Sequence, residues 1–254
     1  EGELLTSCAG GLRVSSVFAY ETQMKQGRVY QIFLRNLTGG HSGADIHKGL
    51  GNGIHLLARI AEKIHSEEIS LCRISGGEKD NAIPRFASAV FCVEEGFEEI
   101  LLERANAEWA EIQREYSMRE PFMEFGAEAL EEYDGKTEDG MCAIIGYSKV
   151  REILSFVNIA PDGVIANSLE MPGLVETSLN LGVISTTAEY VEADFSLRSS
   201  KAVSKAYLQR RICLLTEHLG GVAHCGGDYP AWEYRADSPL RDKMVRIYEK
   251  CYQA

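Results

Sequence analysis

The stretch Thr187-Ala188-Glu189-Tyr190-Val191-Glu192-Ala193-Asp194-Phe195-Ser196-Leu197-Arg198-Ser199 alternates cleanly between apolar and polar residues. Val191, Ala193, Phe195 and Leu197 fall on one side; Tyr190, Glu192, Asp194, Ser196 and Arg198 fall on the other. A period of two with one apolar side reads as a β-strand half-buried in a sheet. A helix follows it, because Leu208, Ile212, Leu215 and Leu219 recur at helical spacing and Gly220-Gly221 stops them. The same succession occurs earlier. Residues 85–93 read as a strand, and Phe97, Leu101, Ala105, Trp109 and Ile112 mark a helix over 97–117. Two strand-then-helix units, each preceded by further strands, predict an α+β fold, a mostly antiparallel sheet with helices on one face.

Working outward, 14–22 and 28–37 are rich in Val, Phe, Tyr and Ile, and Lys25-Gln26-Gly27 between them suggests a hairpin. Ile46, Leu50, Ile54, Leu57, Ala61 and Ile64 line one face of a helix whose first turns are weakened by Gly49, Gly51 and Gly53. Asp45 is placed to cap that helix. Short strands are expected at 71–75, 121–130, 164–169, 174–185 and 222–225, a third helix around 150–157, and a last helix through Leu240, Met244, Ile247 and Cys251.

Composition narrows the classes. The chain has 254 residues, 26 Lys plus Arg against 38 Asp plus Glu, and a net charge of −12. That balance opposes binding to nucleic acid or to an anionic membrane, both of which need a basic face. No stretch approaches the ~18 apolar residues of a membrane helix. The seven cysteines are scattered with no Cys-x-x-Cys, which fits reduced thiols in the cytoplasm better than a disulfide frame or a zinc ribbon.

Several local motifs fail on their spacing. Gly49, Gly51 and Gly53 lack the third-glycine offset and the upstream strand of a dinucleotide fingerprint. Gly40-His41-Ser42-Gly43-Ala44 breaks the Gly-x-Ser-x-Gly elbow at Ala44. Asp45 and His47 stand two apart and do not share a helical face, so with His41 they make a poor metal site.

Two patches are more particular: Leu37-Thr38-Gly39-Gly40-His41-Ser42-Gly43-Ala44-Asp45-Ile46-His47, and Asn81-Ala82-Ile83-Pro84-Arg85 after Gly76-Gly77. They resemble the lid, or dimerisation, segment of the dinuclear-zinc aminopeptidases, carboxypeptidases, aminoacylases and carnosinases. The resemblance extends to Cys8-Ala9-Gly10-Gly11, Ser178-Leu179-Asn180-Leu181-Gly182-Val183-Ile184, Leu197-Arg198-Ser199-Ser200, Tyr229-Pro230-Ala231-Trp232 and Asp237-Ser238-Pro239. Within the family it points to the branch that splits Xaa-His dipeptides.

The resemblance implies a doubled ferredoxin-like lid over 11–221, with 1–10 and 222–254 as flanks from a split catalytic domain. It implies a homodimer formed through the lid and two zinc ions in the parent enzyme. The family's metal ligands lie before and after the lid, so no metal ligands are expected in this chain. The start at Glu1-Gly2-Glu3 suggests a piece of something longer, inactive by itself. His41 would steady the oxyanion of the partner subunit's substrate, Asn81 would bind the substrate's C-terminal carboxylate or backbone, and Arg198 would grip a carboxylate. For Arg198 the plainer reading is an ion pair with Asp194 or Glu192 on its own strand face. The rival functions are a non-catalytic dimerisation or small-ligand module, and the lid of an aminoacylase-type amidohydrolase.

Overall fold

The structure, a computed structural model, describes residues 7–137, 139–235 and 237–252; Glu1-Gly2-Glu3 and the rest of 1–6 lie outside these. In chain order the strands are β1 (Gly10–Ala19), β2 (Thr22–Gln26), β3 (Arg28–Arg35), β4 (Gly40–His41), β5 (Ile69–Gly76), β6 (Ala82–Ile83) and β7 (Ala87–Val93). They continue as β8 (Glu124–Leu130), β9 (Met141–Ile145), β10 (Gly163–Asn167), β11 (Val175–Thr186), β12 (Tyr190–Ser199) and β13 (Val222–Tyr229). The helices are α1 (Gly53–Ile64), α2 (Glu98–Tyr116), α3 (Tyr147–Ile159), α4 (Ala202–His218) and α5 (Pro239–Tyr252).

Nine strands form one sheet in the order β13-β1-β12-β11-β5-β7-β3-β8, with β10 added on β11. Every pairing between described strands is antiparallel. The α+β class is therefore as the sequence pattern predicts, and the two strand-then-helix units are β7–α2 and β12–α4. The alternation in β12 is real: Val191, Ala193, Phe195 and Leu197 are all buried. Phe156 of α3 packs between Phe18 of β1 and Phe195 of β12, with ring centroids 4.9 and 5.8 Å away. Ser16 of β1 and Thr216 of α4, both buried, share a hydrogen bond of 2.8 Å on the same face. Part of the opposite face is covered by a two-stranded ribbon, β2 with β9, over Val29, Cys72, Val90 and Cys92.

Three local expectations are corrected. The hairpin of 14–22 with 28–37 does not exist. β1 pairs with β12 and β13 from the far end of the chain, β3 pairs with β7 and β8, and the segment between them is strand β2. Alternation identifies a strand but carries no information about its partner. The helix expected from Ile46 begins only at Gly53. A single 3-10 turn, Ile46–Lys48, ends at Gly49, whose φ of 62° is left-handed. Asn52 then caps α1, accepting from the Ile54 and His55 backbone N–H groups. That cap contributes ~1 kcal/mol, and burial of Ile54, Leu57, Ile60 and Ile64 adds ~1.5–3 kcal/mol each, which outweighs the one glycine left in the helix. Asp45 does not cap. Its carboxylate accepts from the His41 N–H at 2.8 Å and from Lys48 at 2.6 Å instead.

β1 enters the sheet beside the strand that leaves it. The Cys8 N–H donates to the Trp232 carbonyl and the Trp232 N–H to the Cys8 carbonyl, each at 2.9 Å, just outside the β1–β13 ladder.

Candidate functional site

The loop between β3 and α1 is built to hold one histidine. β4 pairs with β6, setting Gly40 opposite Ile83 and His41 opposite Ala82. The Ser42 N–H donates to the Asn81 carbonyl at 2.9 Å, and the Leu37 N–H to the Arg85 carbonyl at 3.2 Å. From beneath, the buried carboxylate of Glu120 accepts the Thr38 N–H at 2.7 Å and the Gly51 N–H at 2.8 Å. Both ends of the loop are thus tied to one side chain.

His41 itself is exposed, and its ring is oriented by its own loop. The Gly43 and Ala44 N–H groups donate to His41 Nδ1 at 3.2 and 3.1 Å. An Nδ1 that accepts two hydrogen bonds carries no proton, so the neutral ring holds its proton on Nε2. Nε2–H is then a donor available to a ligand.

Asn81 is half-buried at the turn before β6. Asn180 of β11 braces that turn, its Nδ2 donating to the Asp80 carbonyl at 3.1 Å and the Ala82 carbonyl at 2.9 Å. The turn sits very close to β11. A Cβ on Gly77, whose φ is +72°, would fall 1.9 Å from the Gly182 carbonyl oxygen, so only glycine fits.

Arg198 lies on β12 opposite Gly11 and Ser178. Among the described residues it makes no ion pair with Asp194 or Glu192; its one hydrogen bond runs from Nη1 to the Tyr229 hydroxyl at 3.3 Å. Its Nε is buried without a partner. The His41 ring and the Arg198 guanidinium meet over Gly43. A Cβ there would lie 3.1 Å from His41 Cε1 and 3.3 Å from Arg198 Nε.

His41 and Arg198 share a cavity of about 530 Å³, also lined by Cys8, His47, Glu176 and Ser178. Asn81 does not line it. The structure brings together two of the three expected site residues and leaves the third beside them, with its carbonyl on Ser42. Three buried polar atoms without partners, Ser42 Oγ, Asn180 Oδ1 and Arg198 Nε, belong to this neighbourhood. Buried polar atoms are normally hydrogen-bonded, so these three are exceptions gathered around one loop. Glu120, Asn180 and Tyr229 are the contributors that sequence reasoning assigned no role. The last two fall inside quoted motifs, and that was their only signal.

A second cavity, of about 490 Å³, opens at the start of α1 among Asn52, His55, Tyr116, Arg119 and Asp162. The Asp162 carboxylate accepts the Leu181 N–H at 2.9 Å and the Asn52 side-chain amide at 3.3 Å, and stands 3.7 Å from His55 Nε2. Burial raises its pKa, against the opposing pull of His55, the Leu181 N–H and Asn52.

No three His, Cys, Asp or Glu side chains gather as a metal cradle among the described residues. The two zinc ions implied by the family resemblance therefore do not fit a donor set in these residues. Among the described residues no helix is long and apolar enough to cross a membrane.

Residues 32–116 match the family model described as a peptidase dimerisation domain. Over 256 aligned residues the chain is 31% identical to the cytosol non-specific dipeptidase of Escherichia coli (strain K12), covering 99% of this chain and 51% of that protein. The crystal structure of aminoacylhistidine dipeptidase from Vibrio alginolyticus superposes with a TM-score of 0.89 at 28% identity, over 99% of this chain and 50% of that one. The chain spans about half the length of these relatives. It is a homologue of these dipeptidases and carries a peptidase dimerisation domain.

Proposed function

We propose that this chain is the lid of a cytoplasmic metallodipeptidase that acts on Xaa-His and related dipeptides, with residues 11–221 as the lid and 1–10 and 222–254 as flanks from the catalytic part. The observation that carries the reading is the convergence of His41 and Arg198 on one cavity, each with donors left free. His41 Nε2–H is a neutral donor on an oriented ring, suited to an oxygen on which negative charge develops. Arg198 offers a planar fork suited to a carboxylate. Asn81, held in its braced turn beside the cavity, adds an amide for the substrate's polar end. Two zinc ions, held by residues elsewhere in the parent protein, would supply the activated water; this chain binds, orients and donates.

The lid works as a homodimer in this reading. Its His41 then serves the partner subunit's substrate, and the dimerisation-domain likeness supports that arrangement. The test is hydrolysis of Xaa-His dipeptides by the whole protein and by the 254-residue chain alone. Release of histidine by the whole protein, lost on chelation and absent from the chain alone, is expected. Chelator-sensitive hydrolysis by the chain alone would reject the lid assignment.

A further inference from the structure

Arg198 is held in an unusual way for an arginine on a strand that also carries Glu192 and Asp194. Its one hydrogen bond is to a neutral acceptor, the Tyr229 hydroxyl. A guanidinium has two edges able to grip a carboxylate with two parallel N–H groups. Nη1 sits on the side of Cδ, so the side-on edge is formed by Nε and Nη2. Tyr229 takes Nη1. Nε is buried and unpartnered, and Nη2 has no hydrogen bond among the described residues. The side-on edge is therefore the one that no acceptor among the described residues takes, and its Nε lies against Gly43 beside the His41 ring, where a Cβ would sit 3.3 Å from Nε.

Tyr229 reaches this position because a residue is missing from its path. Its ring lies over Gly11, where a Cβ would meet the hydroxyl oxygen at 2.6 Å and Cζ at 2.7 Å. Gly11 is the residue opposite both Arg198 on β12 and Tyr229 on β13. Lys205, itself buried, donates to the Tyr229 carbonyl at 2.7 Å and pairs with Asp228, which fixes the end of β13 from the α4 side. Two quoted motifs, Cys8-Ala9-Gly10-Gly11 and Tyr229-Pro230-Ala231-Trp232, thus meet at one contact.

We infer that Tyr229 is a positioning residue for Arg198: its hydroxyl occupies Nη1 and keeps the Nε–Nη2 edge unpaired for the substrate carboxylate, with Gly11 making room for its ring. The inference rests on the reading of Arg198 as a carboxylate ligand. A neutral hydroxyl suits this task because it orients the guanidinium without neutralising it, whereas Glu192 or Asp194 at that place would compete with the substrate.

The experiment measures steady-state kinetics of the whole protein, in wild type, Tyr229→Phe, Arg198→Ala and the double variant. The substrates are a dipeptide and its C-terminal amide. Phe keeps the ring and removes only the acceptor. Tyr229→Phe should raise KM for the dipeptide about three- to tenfold, the worth of one hydrogen bond, with kcat within about twofold. KM for the amide should not move, and in the Arg198→Ala background Tyr229→Phe should add nothing. Gly11→Ala, which displaces the ring, should reproduce the KM effect. If Arg198→Ala raises KM for the dipeptide but Tyr229→Phe leaves it unchanged, the positioning role is overturned and the carboxylate reading stands. An effect of Tyr229→Phe that is equal for the amide, or that persists in full without Arg198, shows a merely structural role and overturns it too. If Arg198→Ala leaves the dipeptide KM untouched, or the wild-type protein splits no dipeptide, the underlying reading fails and takes this inference with it.

Discussion

Glu120 and Arg198 are both ionic groups withdrawn from water beside the same loop, and the fold treats them in opposite ways. Glu120 is 3% exposed, and each of its carboxylate oxygens accepts a backbone N–H. Arg198 keeps a buried Nε with no acceptor. A buried charge whose hydrogen bonds are complete belongs to the architecture; one left incomplete is costly unless a ligand completes it. By this criterion Glu120 holds the His41 loop in place, while Arg198 beside it has a buried donor that no group among the described residues accepts from.

The contrast between a brace and an exposed donor on this loop is tested most sharply at His41 and Glu120, and then at Arg198. His41→Ala in the whole protein should lower kcat about 100-fold or more, the size expected for one oxyanion donor, and shift unfolding stability by no more than ~0.5 kcal/mol, because the side chain is exposed. An unchanged kcat would remove His41 from the chemistry. Glu120→Ala should do the reverse. It strands two backbone N–H groups and is expected to cost about 2–3 kcal/mol in denaturant unfolding, with activity falling only as far as the loop loosens. Stability equal to wild type would show that the loop does not depend on Glu120.

Arg198→Ala should leave stability within about 1 kcal/mol, since it removes an unpaired buried donor instead of creating one. A loss as large as that of Glu120→Ala would erase the distinction between the two residues. The smallest effect concerns Asp162, whose carboxyl is held above its ordinary value of 3.8 by burial. The folded state then binds the proton more tightly than the unfolded chain. The stabilisation is complete below 3.8 and is lost as pH rises through the folded-state value. Unfolding free energies measured across that window should slope downward with pH in wild type and more weakly in Asp162→Asn. Identical slopes would show that Asp162 does not titrate differently on folding.

Much of this fold was legible in the sequence, and the failures lie where local pattern does not decide the outcome. β12 and its helix could be read because their periodicity is local. The false hairpin of β1 with β3 arose because both strands have good alternation, which records neither that the neighbours of β1 come from residues 190–199 and 222–229 nor that those of β3 come from 87–93 and 124–130. β9 went unread because five residues after an acidic turn give too short a pattern. The helix expected from Ile46 failed for a different reason: apolar spacing continued across Gly49 and Gly51, which lie outside any helix. The site was legible only in part. His41, Asn81 and Arg198 stood out by family resemblance, whereas the side-chain hydrogen bonds of Glu120, Asn180 and Tyr229 reach partners 31 to 100 residues away.

The paired backbone bonds between Cys8 and Trp232 have a mechanical consequence. Two hydrogen-bonded strands running side by side make a flexure, a thin ribbon that bends readily out of its own plane and resists shear within it. Any load carried into the sheet through this ribbon acts at its root, where Gly11 and Tyr229 sit face to face. A displacement of either strand there would reach Arg198 through the Tyr229 hydroxyl.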